Sequence, residues 1–202
     1  MINYSPRKKT TFSPSSSAII IAAMLLGPSY GSVEVYKHLN PSAPFEGSWQ
    51  VCFTPNQACQ KLIVQQINDA KESILIQAYS FSDKDIIEAL IQAKHRGIQV
   101  SVLLDYSNLK AKYSGLNKIL SHQIMVRIDK LPGIAHNKII IIDNHILIGG
   151  SYNFSKSAYK RNAENVMIIY DKPLATEYIN NWQKRWKLST APGDIKNNKL
   201  SK

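Results

Sequence analysis

The chain has 202 residues, of which 44% are hydrophobic and 19% charged; this balance excludes a disordered polymer and allows one domain with a sizeable core plus tails. The formal net charge of +11 points to an anionic partner, whether nucleic acid, an anionic membrane surface or an acidic polymer, and charge alone does not choose among them. A basic protein with no dedicated partner is the plain alternative.

Arg7, Lys8 and Lys9 open the chain with positive charge, and an unbroken apolar run follows from Ala18 to Leu26, with small residues at Ser29 and Gly31. Those nine apolar residues are too few to cross about 30 Å of hydrocarbon but suit the core of a signal peptide. Residues 1–31 are therefore expected to be a cleaved export signal, giving a periplasmic or secreted protein. The alternatives are an inner-membrane anchor over residues 18–26 and a buried helix. Cleavage would remove three basic residues and no acidic one, leaving +8, so the basicity belongs to the mature chain.

Residues 32–46, with Pro41 and Pro44, read as a linker, and 47–188 as the folded domain. Trp49 to Phe53 is a candidate short strand. Cys52 and Cys59, an even pair close together behind an export signal, read as a disulfide; two buried thiols are the alternative, and the spacing is a poor zinc pattern. Leu62, Ile63, Ile67 and Ala70 predict an amphipathic helix over 58–70. Ser73 to Tyr79 predicts a buried strand, Ser82 the cap of a helix over 83–95 stopped by Gly97, and Ile98 to Leu104 the next strand. The alternation predicts parallel pairs joined by crossover helices.

Further along, a polar loop over 106–115 precedes a short helix at 116–121 and a strand at 125–128. Lys138 to Ile142 and His145 to Gly149 read as a hairpin turning at Asp143-Asn144. Asn165 to Tyr170 predicts a strand, and 173–186 a helix with Leu174, Tyr178 and Trp182 on one face. Residues 189–202 read as a basic flexible tail. The fold class is α/β: a mixed, mostly parallel sheet flanked by helices on both faces.

The chemistry concentrates in the run HNKIIIIDNHILIGGSYNFS. In an extended chain His136 and Lys138 point to one side, which sets an imidazole beside an ammonium. Gly150 permits a close backbone approach, and Ser151 and Asn153 add neutral donors. Such a set suits attack on a phosphodiester, with histidine as nucleophile or general acid and the cation and donors holding phosphate oxygens. The sequence offers no carboxylate cluster and no metal-ligand motif, so a reaction without metal or cofactor is expected.

His136-x-Lys138-x4-Asp143-x6-Gly150-Ser151-x-Asn153 resembles the HKD signature of the phospholipase D superfamily at every fixed position. Residues 51–55 (VCFTP), 77–81 (QAYSF) and 161–166 (RNAENV) are similar to segments of its small bacterial endonuclease branch. The resemblance implies that His136 forms a phosphohistidine intermediate, that Lys138 and Asn153 bind phosphate oxygens and that Ser151 lines the same pocket. It further implies that Glu164 orients the His136 ring, and that Asp143 is structural. One H-x-K is present where the superfamily uses two, so the resemblance implies a homodimer that brings two copies of His136 into one site. Three functions follow: an endonuclease acting on DNA, with RNA as a further substrate, a phospholipase D or phosphatidyltransferase acting on membrane lipids, and a nucleic-acid binding protein without turnover. Tyr79, Phe81, Tyr106 and Tyr113 are candidates for base stacking, with core or rim packing as the alternative, and Lys160 and Arg161 for phosphate contacts, with a solvated basic edge as the alternative. His145 reads as an ordinary strand-start residue.

Overall fold

The computed structural model describes residues 47–55, 58–130 and 133–195; the expected signal, linker and final residues lie outside these. The elements run β1 (Ser48–Phe53), α1 (Cys59–Asp69), β2 (Ser73–Ala78), α2 (Lys84–His95), β3 (Gln99–Asp105), a short 3-10 turn (Tyr106–Leu109) and α3 (Leu116–Ser121). Then follow β4 (Met125–Asp129), β5 (Lys138–Ile142), β6 (Ile146–Gly150), α4 (Lys156–Lys160), β7 (Asn165–Tyr170) and α5 (Lys172–Leu188). Cys52 and Cys59 are joined as a disulfide that ties β1 to the start of α1.

All seven strands form one mixed sheet in the order β1-β7-β6-β5-β2-β3-β4. The expected mixed sheet with helices on both faces is present, but the parallel share is smaller than expected. Only β2–β3 and β3–β4 pair in parallel; β1–β7, β7–β6, β6–β5 and β5–β2 are antiparallel. The reason is connection length. The helix α2 is long enough for a crossover, whereas the two residues between β5 and β6 that lie in left-handed conformation, Asp143 (φ 52°) and Asn144 (φ 54°), make a hairpin turn. Likewise β1 does not join β2 but pairs with β7 at the far edge.

Alternation along the strands divides the core. Ile74, Ile76, Val100, Val102, Ile140, Ile142, Ile148 and Ile168 face α1 and α2. Leu103, Ile141 and Leu147 face α5, together with the partly buried Leu75, Ile139 and Ile169. On α5 the buried residues are Ala175 and Trp182, backed by Leu174, Ile179 and Trp186; Tyr178 is exposed, so the seam lies one position round from the expected one. Trp182 donates its indole N–H to the Ile76 carbonyl (2.8 Å), fixing α5 to the centre of the sheet. The start of α2 is capped by Asp83 rather than Ser82: its buried carboxylate accepts from the N–H groups of Asp85 and Ile86 and from Gln60.

Residues 189–195 depart from the expected tail. Arg127 reaches Ser189, and Thr190 exchanges backbone bonds with Ile128 at 2.8 and 3.0 Å. This docking covers the open edge of β4, which would otherwise present unpaired backbone groups.

Candidate active site

Strand register brings one end of the sheet to a common edge. Ala78 pairs with both Leu104 and Lys138, Asp105 with Asp129, Gly150 with Val166, and Phe53 with Asn165. The carboxyl ends of the parallel strands β2, β3 and β4 therefore meet the amino ends of β5 and β7 and the end of β6, where an open α/β sheet commonly binds its ligand.

His136 lies on this edge, two residues before β5, and is exposed. Its ring rests on Tyr79, with centroids 4.6 Å apart. Three backbone bonds hold the segment. Ala135 N–H donates to a buried oxygen of Asp105 (2.7 Å), Tyr79 N–H donates to the Asn137 carbonyl (2.8 Å), and the Lys138 ammonium donates to the His136 carbonyl (3.0 Å). Asn108 extends the frame by donating to the carbonyls of Tyr79 (2.7 Å) and Asp105 (3.1 Å).

Lys138 opens β5 and is buried, with its ammonium 5.4 Å from the centre of the Tyr79 ring. Imidazole and ammonium thus both lie against the Tyr79 ring. Burial pushes the Lys138 ammonium below the ordinary lysine range, and the negative charge of Glu164 opposes that shift.

Ser151 and Glu164 face each other across β6 and β7. Ser151 donates its hydroxyl to Glu164 (2.6 Å) and accepts from the Asn165 backbone N–H (3.1 Å). The other Glu164 oxygen accepts from Asn162 (2.8 Å). Among the described residues no hydrogen bond joins Glu164 to His136; the carboxylate is taken by its neighbours on the β6 and β7 ends. The Ser151 proton is committed in the same way, so a phosphate oxygen reaches it only if Glu164 yields. Asn153 Oδ1 is buried with no hydrogen-bond partner, so the amide is not locked by neighbours.

Gly150 is needed for its own chain, not for a ligand's approach. At φ +142° its missing Cβ would lie 2.3 Å from the Asn165 carbonyl oxygen. Asp143 sits at the opposite end of β5, at the hairpin turn. Its carboxylate accepts from the backbone N–H groups of Lys71 (2.9 Å), Glu72 (2.8 Å) and Ser73 (3.0 Å). Burial works against its charge, but these three donors and the charge of Lys71 hold it below the usual aspartate value. Asp143→Ala should lower stability by about 2–3 kcal/mol, read by urea denaturation, because three N–H groups lose their acceptor. Its contribution is present above the ordinary aspartate value and is lost as pH falls through the lowered one, so the mutant and parent curves should converge in acid.

Of the aromatic candidates, Phe81 is core and cannot stack on a base, Tyr79 supports His136, and Tyr113 is exposed. The roles of Asp105, Asn108 and Tyr79 in holding His136 are not visible in the linear motif; the one signal was an aspartate ending an apolar strand. No three His, Cys, Asp or Glu side chains gather as a metal-ligand set among the described residues.

A family model described as "Cardiolipin synthase, PLD-like domain" matches residues 63–186, more than half of the chain. The chain belongs to the phospholipase D family. Phospholipase D of Rickettsia felis is 52% identical over 149 residues, covering 74% of each chain. Mitochondrial cardiolipin hydrolase of Xenopus laevis is 27% identical over 131 residues, covering 65% of this chain and 62% of its own. Among solved structures, the phospholipase D family member Nuc from Salmonella typhimurium superposes with a TM-score of 0.69 at 37% identity, covering 71% of this chain and 97% of its own. NucT from Helicobacter pylori gives 0.67 at 26%, covering 72% and 99%. This phospholipase D family chain is accordingly a phosphodiesterase.

Proposed function

We propose that the protein is an exported, metal-independent endonuclease that cleaves DNA, and RNA as a second substrate, through a phosphohistidine on His136. The observation that carries the reading is the pairing of exposed His136 and buried Lys138 on the Tyr79 ring, at the sheet edge that also holds Ser151, Asn153 and Glu164. The basic composition and the likeness to Nuc and NucT support a nucleic-acid substrate. The Cys52–Cys59 disulfide supports export.

In this mechanism a ring nitrogen of His136 attacks phosphorus and the bond to the leaving oxygen breaks. His136 of a second copy gives that oxygen its proton. Water then attacks the phosphohistidine, passes a proton to the same imidazole and frees His136. Lys138 and Asn153 hold the non-bridging oxygens, and Glu164 holds Ser151 and moderates the charge of Lys138. Only one H-x-K exists in the sequence, so the general acid comes from a homodimer.

Asp105 is a positioning residue here. Asp105→Ala should reduce kcat by roughly 10-fold or more with little change in KM, while Asp105→Asn, which keeps an acceptor for Ala135 N–H, should recover most of it. An unchanged kcat in Asp105→Ala would remove Asp105 from the frame.

A second reading is a phospholipase D or phosphatidyltransferase, favoured by the name carried by relatives that are 52% identical. Plasmid cleavage and headgroup release from phosphatidylcholine vesicles, both run in EDTA, separate the two. Headgroup release with intact plasmid would reverse the order.

A further inference from the structure

A cationic, tyrosine-bearing lobe stands next to the site, on the loops that leave β3 and β4. Lys110 and Lys130 place their ammonium groups 5.6 and 5.7 Å from the centre of one ring, that of Tyr106. Lys112 lies 5.5 Å from the ring of Tyr113, which is 77% exposed. All three lysines are exposed, and among the described residues none enters an ion pair. The acids nearest in sequence are already engaged. Asp105 accepts from the N–H groups of Ser107 and Ala135, and Asp129 pairs with Arg185. The positive charge of the lobe is therefore not neutralised from within.

The lobe is tied to the reacting segment. Asp105, which begins the Tyr106 turn, binds the residue before His136, and Asn108 within that turn binds the carbonyl of Tyr79 beneath the His136 ring. Lys130 follows the end of β4 and begins the chain segment that leads to His136. An extended substrate whose reacting phosphate lies at His136 would run its neighbouring units over these lysines.

We infer that Lys110, Lys112 and Lys130, with Tyr113, form a binding surface for the strand flanking the scissile phosphate of a polynucleotide. The inference rests on the nucleic-acid reading above and names the part of the substrate that the HKD residues do not touch. Three unneutralised cations supply the phosphate contacts, and an exposed tyrosine face supplies a stacking platform that any base can use. Of the exposed apolar side chains, Trp49, Val51 and Phe53 lie on β1, at the opposite edge of the sheet from β4, while Met125 opens β4 and Ile134 lies two residues before His136.

The test compares the full chain with a Lys110→Ala/Lys112→Ala/Lys130→Ala variant and with Tyr113→Ala. The substrates are a single-stranded oligonucleotide of about 20 nucleotides, longer than a typical single-domain site, and the small diester bis(p-nitrophenyl) phosphate. For the triple variant, kcat/KM on the oligonucleotide should fall by about 10- to 100-fold through KM. The slope of log kcat/KM against log salt should also flatten by roughly 2, near 0.7 for each lost phosphate contact. Hydrolysis of the small diester should be unchanged. Tyr113→Ala should weaken the oligonucleotide about 10-fold with no change in salt slope.

An unchanged KM and slope on the oligonucleotide would overturn the inference while leaving the nuclease reading intact. Equal loss on both substrates would also overturn it, because the lysines would then act at the reacting centre. Should the parent protein leave nucleic acid uncut, the nuclease reading itself falls. Loss of binding to phosphatidylserine vesicles by the triple variant would in that case reassign the lobe to membranes.

Discussion

His136→Ala should lower phosphodiester cleavage by about 10⁴-fold or more while leaving the fold unchanged, because in the proposed mechanism the imidazole forms the bond to phosphorus, and its exposed ring packs on Tyr79. Its effect on stability should be within about 0.5 kcal/mol, as expected at an exposed position. The same variant reports on the dimer. If both copies of His136 serve one site, a mixed dimer with a single imidazole lacks either nucleophile or acid. Co-refolding equal amounts of parent and His136→Ala protein should then leave about one quarter of the activity, the share of dimers with two parent chains. One half would mean that each protomer works alone.

Removing the Lys138 side chain should cost about 10²- to 10³-fold in kcat, the usual loss for a preorganised charge at developing negative charge. Its pH dependence is the sharper test. Burial lowers the ammonium's affinity for a proton, against the pull of Glu164, so the charge is lost below the ordinary lysine value of 10.5. The alkaline fall in rate should therefore begin below that value. Lys138→Arg, charged throughout the accessible range, should lose this limb even if its maximum is lower. The stability consequence has the opposite sign. In the window between the lowered value and 10.5 the unfolded chain holds the proton and the folded one does not, so stability rises with pH there. Below the window the buried charge is a burden, and Lys138→Met should raise Tm at neutral pH while abolishing turnover. A fall in Tm would show that the ammonium bond to the His136 carbonyl outweighs desolvation.

How much of this was legible in the sequence depended on range. The buried strands β2, β3 and β7 and the helix α2 were readable because their apolar patterns are local and bounded by good turn residues such as Gly97. The place of β1 was not. A six-residue edge strand carries no signal for the partner it finds, and here that partner is β7, more than a hundred residues on. The short helix α4, capped by Ser155, is not legible in the sequence, since its five residues span little more than one turn and show no repeat of an apolar face. Ser82 and Asp83 are both good caps by residue type, and the bonds that Asp83 accepts from Gln60 and from the Asp85 and Ile86 N–H groups distinguish them.

At the candidate site, the motif singled out His136, Lys138, Ser151 and Asn153, whose spacing is tied to a strand, a hairpin and a second strand. What holds them was out of reach. The contacts from Asp105 to Ala135 and from Asn108 to Tyr79 each bridge about thirty residues and depend on the tertiary fold. The Ser151–Glu164 bond was hidden for another reason: each residue alone has several partners in reach, and the register of β6 on β7 selects one.

The central claim, a phosphohistidine on His136, is tested most directly by trapping. The protein would be mixed with end-labelled oligonucleotide in EDTA, quenched in alkali within the first turnover and analysed by mass spectrometry. The account predicts an acid-labile, base-stable phospho-adduct on the peptide containing His136, absent in His136→Ala. Cleavage that proceeds in EDTA with no adduct on His136, or with one elsewhere, would contradict it.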